Sequence, residues 1–237
     1  MSDWAPKRFW TSADIRVVEG GFEIVLDSRP VRTPLKSPLV VPSKTLAERI
    51  AAEWDAQEAK VNPATMPATR ITNSAIDKVM AQMPEIVALL SEYGGTDLLC
   101  YRATGPEELI ARQAEAWDPL LDWADRQFGA QLRVTSGVMP IAQDPAAISA
   151  FVKQVERFSA FELAAFYELV SLSGSLVIAL AAETGHLPAS DLWERARADE
   201  AWQIDIWGAD DEAERVNQLK RGAFLQAANY LNILREP

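Results

Sequence analysis

Apolar and polar positions change their period early in this chain. Up to about residue 41 they alternate: Ile15-Arg16-Val17-Val18 and Phe22-Glu23-Ile24-Val25-Leu26 flank Gly20-Gly21, and alternating runs around a glycine pair predict a hairpin. Asp27-Ser28-Arg29-Pro30 carries turn chemistry ahead of Val31-Arg32-Thr33, and Pro34 and Pro38 bound a loop leading to Leu39-Val40-Val41,. Three or four short antiparallel strands are expected. From Ser43, a capping residue after Pro42, the positions Leu46, Ala47, Ile50, Ala51 and Trp54 recur at helical spacing, so a helix starts there and ends before Asn62-Pro63.

Beyond the proline-bearing segment 61–67 the period is helical almost throughout. Helices are predicted over 69–80, 84–93, 106–128, 145–157, 161–183, 189–207 and 211–234,. Pro84, Pro106 and Pro145 suit first-turn positions,. Pro119 should kink or divide its helix,. The small residues Ser171, Ser173, Gly174 and Ser175 suggest a close approach by another helix. The expected fold class is α+β, a small antiparallel β-rich N-terminal domain followed by a larger all-α C-terminal domain. The boundaries are 1–72, with one or two helices at its end, and 73–237.

Composition narrows the function classes. Hydrophobic residues make up 49% and charged ones 24% of the chain, which is ordinary globular usage. Cys100 is the single cysteine. An internal disulfide is therefore impossible, and its apolar neighbours make it a small buried hydrophobe rather than a reactive thiol. The net charge is −11, divided between ten Lys/Arg against nine Asp/Glu in residues 1–72 and thirteen against twenty-five in the remainder. An acidic part of that size repels phosphates, so nucleic acid is not an expected partner. The longest apolar stretch, 176–182, is far below the ~20 residues of a membrane span,. The first residues, MSDWAPKRFW, lack a secretory core and an organellar presequence pattern,, which leads us to expect a mature or a bacterial, cytoplasmic protein.

Catalytic signatures are missing. A lone histidine, His186, follows a glycine and reads as a helix-end residue; there is no Gly-x-Ser-x-Gly elbow, no P-loop and no dinucleotide turn,. Paired carboxylates such as Asp210-Asp211 and Glu107-Glu108 sit where a helix start or a solvated face explains them. No catalytic residue, cofactor or metal is expected, and the protein reads as not an enzyme.

Among eight Trp, Trp54, Trp117 and Trp123 fall on apolar helix faces, while Trp4 and Trp10 border the first strand. Trp193, Trp202 and Trp207 lie in or beside the acidic run 195–215, RARADEAWQIDIWGADDEAER, as core or as partner contacts,. Within an unbroken helix Trp193, Glu200 and Trp207 share a face, seven residues apart,. Glu200 is then either a buried carboxylate neutralised by Arg197 or Arg221, or an exposed acidic anchor among aromatics.

Three strings, GGFEIVLDSRPVRTPLKSPLVVPSKTLAERIAAEWDAQ from Gly20, RQAEAWDPLLDWA from Arg112 and ADEAWQIDIWGADDEAER from Ala198, together resemble the ATP synthase assembly chaperones that act on the alpha subunit. The resemblance runs in the same order from Arg8 to Leu231 and implies a bacterial member. It also implies a chaperone that binds the unassembled alpha subunit of the catalytic head, prevents its aggregation and releases it to the beta subunit. Eukaryotic relatives would work in the mitochondrial matrix, and this chain in the bacterial cytoplasm. On the family's pattern Glu200 is the expected partner-binding residue, followed by Asp199, Trp202, Asp205, Trp207 and Glu212. A carboxylate-based hydrolase, with or without a metal ion, and a general protein-binding adaptor are the alternatives. With no long heptad seam, a monomer is expected.

Overall fold

Strands β1 (Ala13–Val18) and β2 (Gly21–Leu26) pair antiparallel from Ala13 opposite Leu26 to Val18 opposite Gly21. Gly20 takes a φ of 87°, and at Gly21 a Cβ would lie 2.2 Å from the carbonyl oxygen of Val41, so the sheet closes there only around glycine,. β2 is central: β3 (Arg29–Pro30) and β4 (Val40–Val41) both pair with it. Where three or four antiparallel strands are expected, the sheet has four, within a computed structural model that describes residues 7–137 and 139–236.

Ile24, Val25 and Leu26 of β2 are buried, as are Leu46, Ala47, Ile50 and Ala51 of helix α1 (Lys44–Asp55), which packs on β1 and β2. Ser43 caps α1 as expected, its hydroxyl accepting from the amide of Leu46 at 3.3 Å,. The buried carboxylate of Glu53 accepts the amides of Ala68 and Thr69, each at 2.9 Å, at the start of α2 (Pro67–Asp77). A charge taken from water is thus offset at the positive end of a helix. Trp10 is buried and meets Trp54 edge-on with ring centroids 5.3 Å apart; Trp4 lies outside the described residues.

The chain divides into two compact units, one of residues 1–83, 159–165 and 229–237, the other of residues 84–158 and 166–228. In the first, Thr72 and Tyr230 share a buried hydroxyl–hydroxyl bond of 2.9 Å. The second holds helices α3 (Met83–Gly95) from Pro84 on, α4 (Glu107–Phe128), α5 (Pro145–Val155), α7 (Leu176–Glu183), α8 (Ala189–Ala196) and α9 (Ala198–Trp207), while α6 (Ala160–Ser173) and α10 (Asp211–Arg235) are shared, with residues 160–165 and 229–235 in the first unit. The small N-terminal sheet and larger helical remainder are the expected fold class. One unanticipated feature is a short parallel pairing of β5 (Tyr101–Arg102) with β6 (Thr135–Ser136).

Two predicted helices are divided. The 161–183 run breaks at Gly174, where φ is 72°, and Ser175 starts α7 by accepting from the amide of Ile178 at 3.0 Å. The small residues terminate and cap, and they also admit a neighbour, since the amide of Leu98 donates to the carbonyl of Gly174 at 3.2 Å,. The 189–207 run breaks at Arg197. Pro119, by contrast, leaves α4 continuous.

Asp97 is fully buried beneath α7, its carboxylate accepting the amides of Leu99 at 3.0 Å and Val177 at 3.1 Å. Burial outweighs these donors and pushes its carboxyl up to about 6,. The neighbouring Cys100 is buried too, its thiol pushed up to about 12 by burial, which leaves it the inert hydrophobe anticipated from its surroundings.

Candidate protein-binding surface

The acidic segment is organised by the break at Arg197. There φ is −111° and ψ 21°, and its amide closes α8 on the carbonyls of Arg195 and Glu194. The seven-residue spacing therefore does not align its three members. Trp193, 1% exposed, packs into the core with its ring 5.5 Å from that of Phe224, whereas Trp207 at the end of α9 is 73% exposed.

Side chains of α4 hold α9 in place. Gln113, almost fully buried, donates from Nε2 to Asp199 Oδ1 at 2.7 Å while its Oε1 accepts the amide of Ala103 at 2.8 Å, which fixes both ends of the amide. Arg112 reaches Asp205 at 2.6 Å. Trp117 donates its indole N–H to the carbonyl of Arg195 at 2.8 Å. Two of the three strings singled out in the sequence are thus bonded to each other. Asp199 and Asp205 orient α9, a role their spacing did not disclose.

The remaining face of α9 opens on a cleft completed by α10. Glu200 pairs with Arg197 at 2.6 Å, and 42% of its side chain stays exposed. It is not a buried carboxylate: it is an accessible acid with a partner one turn away, a pair worth about 0–1 kcal/mol. Arg221, the other suggested partner, lies 3.5 Å from Glu194 instead. Ile204 and Trp207 line the cleft opposite Asn217 and Glu214. Trp202, half-buried, meets Trp207 edge-on with centroids 6.1 Å apart, and Glu212 pairs with Arg215 at 2.6 Å on the exposed first turn of α10.

The cleft is apolar as well as acidic, with Ile204 and Trp207 both exposed in its lining. Ile206 on α9 and Val216 and Leu219 on α10 are exposed too, outside that lining. Ile206, Val216 and Leu219 were not singled out in the sequence. The available signal lay in α10, where Leu219 points about 140° away from the buried Phe224 on a helical wheel and so leaves the core-facing stripe,. His186 lies elsewhere: its amide donates to the carbonyl of Ala181 at the end of α7, and its ring stacks on Trp123 with centroids 4.5 Å apart. Among the described residues no group of three or more His, Cys, Asp or Glu is placed to hold a metal ion. No helix among them is long and apolar enough to cross a membrane.

The model of the ATP12 chaperone protein family matches residues 7–125. The mitochondrial protein atp12 of Schizosaccharomyces pombe is 24% identical over 223 residues, covering 89% of this chain and 77% of its own length. Atp12 from Paracoccus denitrificans, solved both as such and as a lysine-for-aspartate mutant, superposes with a TM-score of 0.93 at 43% identity over 97% of this chain and 98% of its own. A protein of Agrobacterium tumefaciens superposes with a TM-score of 0.91 at 42% identity, over 97% of this chain and 85% of its own. Sequence and fold agree along nearly the whole chain, which therefore belongs to the ATP12 family of ATP synthase assembly chaperones.

Proposed function

We propose that the protein binds the unassembled alpha subunit of the ATP synthase catalytic head, keeps it from aggregating, and yields it when the beta subunit arrives. It acts without catalysis, as a monomer in the bacterial cytoplasm, and α9 with the first turns of α10 forms the contact. The observation that carries this reading is Trp207, 73% exposed at the tip of a helix that Gln113 and Arg112 hold rigidly in place. An unassembled subunit exposes apolar surface prone to aggregation, and a chaperone must cover it yet let go. Exposed Ile204, Ile206 and Trp207 supply the apolar cover. Glu200, Glu212 and the other acids around them keep the surface wet and match donors on the client. Asp199 and Asp205 serve by positioning, and Trp202 by supporting the Trp207 ring.

A pull-down of alpha subunit on the immobilised protein tests this, alongside light scattering of alpha subunit diluted from denaturant. The unmodified protein should retain alpha subunit, suppress scattering and give up its client when beta subunit is added. Trp207→Ala and Glu200→Lys should each weaken capture while keeping the parent melting temperature. Unchanged capture by both variants would sink the assignment of this surface. Recovery of a different dominant protein from native lysate would point to an adaptor with another client.

A further inference from the structure

The first unit carries a second cleft, of opposite charge. Arg32 and Lys36 stand on the turn after β3, and Arg70 projects from α2; the three line one depression of about 240 Å3. All three are exposed, and none forms an ion pair among the described residues. The depression has an apolar floor, since Met66 and Val61 are buried beneath it.

The turn that carries Arg32 and Lys36 is held in position. Lys36 adopts a φ of 71°, and its amide donates to the carbonyl of Thr33 at 2.9 Å. Asp77, at the end of α2, accepts the hydroxyl of Thr33 at 2.6 Å and the amide of Leu35 at 3.0 Å, so the turn is tied to the helix that bears Arg70. Asp77 spends its carboxylate on that tie and is not among the residues lining the cleft. Trp54 and Asn73 line the cleft as well, and the Trp54 indole N–H is buried with no partner among the described residues. Three cations without ion pairs around one depression suit an anion, and the indole among its lining residues can report its arrival.

We propose that this cleft is an anion site that takes a carboxylate side chain from an acidic segment of the client protein, an inference that rests on the client reading above. The chemistry favours a side-chain carboxylate over a free inorganic anion. Its methylenes suit the floor of Met66 and Val61, while its oxygens meet Arg32, Lys36 and Arg70. Charge complementarity also selects where such a segment goes. An acidic stretch is repelled by the surface around Glu200 and attracted here, so the two clefts read opposite charges on one client.

The test uses the full chain labelled with 15N and a capped peptide alternating glutamate with leucine. The Trp54 indole signal, assigned by its loss in Trp54→Phe, should shift and saturate with the peptide. It should not respond to the glutamine counterpart, nor to the acidic peptide in an Arg32→Glu, Arg70→Glu variant. The same variant should bind alpha subunit on the order of tenfold more weakly with an unchanged melting temperature. An equal response to the glutamine peptide overturns the site, and saturation by inorganic phosphate with none by the peptide overturns its assignment to a protein segment. If the variant binds alpha subunit as the parent does, this inference fails and the client reading stands. If the parent binds no alpha subunit, the client reading fails, and the peptide titration alone decides what the cleft holds.

Discussion

Arg195 repairs the helix that Pro119 interrupts. Proline has no N–H, so Glu115, four residues earlier in α4, loses its helical donor; the Arg195 guanidinium donates to the carbonyl of Ala116 at 2.7 Å and reaches that of Glu115 at 3.4 Å. Arg195→Ala should therefore destabilise by about 0.5–1.5 kcal/mol, the net worth of a hydrogen bond at a site that water can reach. In a Pro119→Ala background the helix supplies its own donor, and the loss should shrink by half or more. Urea denaturation of the four members of this double-mutant cycle measures the coupling. Equal losses in both backgrounds would refute the repair.

The two tryptophans at either end of the acidic segment should behave oppositely. Trp193→Ala removes a fully buried ring packed against Phe224 and should cost about 3–5 kcal/mol. Trp207→Ala removes an exposed one and should move stability by less than about 0.5 kcal/mol. Thermal melts separate them. A large loss from Trp207→Ala would show that this ring supports the fold, leaving it no part as a free contact.

Adjacent acids should separate in the same way. Asp199 accepts a bond from the buried Gln113 amide nitrogen, so Asp199→Ala should cost about 1–2 kcal/mol, whereas Asp199→Asn, which retains an acceptor oxygen, should cost less. Glu200→Lys breaks an exposed pair with Arg197, which caps its stability cost near about 1 kcal/mol. Chemical denaturation curves for the three variants decide this. Unfolding of Glu200→Lys would mean that its pair with Arg197 holds the α8–α9 junction.

What could be read from the chain tracks how local the cause is. The hairpin around Gly20-Gly21 and the Ser43 cap depend on neighbours within a few residues, and both appear as expected. The break at Arg197 was hidden because no Gly or Pro marks it, and the continuous α4 was hidden because Pro119 is compensated by Arg195, 76 positions further along. The same limit governed the candidate surface. Its acids and tryptophans stand out in the sequence, but that Asp199 and Asp205 face α4 while Glu200 and Trp207 face outward follows from packing in three dimensions. Leu219 was overlooked because an isolated leucine on a helix is ordinarily core.

Asp97 should give the fold a pH dependence of unusual sign. A carboxyl raised in the folded state from 3.8 to about 6 binds its proton more tightly folded than unfolded. Protonation therefore stabilises the fold, in full below the unfolded value of 3.8, and that stabilisation is lost as pH rises through about 6,. Ordinary acid denaturation pulls the other way, so the comparison is made against Asp97→Asn, which cannot titrate at this position. Relative to that variant, the parent should gain about 1 kcal/mol between pH 7.5 and 5, approaching about 3 kcal/mol below pH 4. Urea midpoints of both proteins across this range provide the measurement. A difference that stays flat, or that favours the parent at higher pH, would show that the amides of Leu99 and Val177 stabilise the ionised carboxylate more than burial disfavours it.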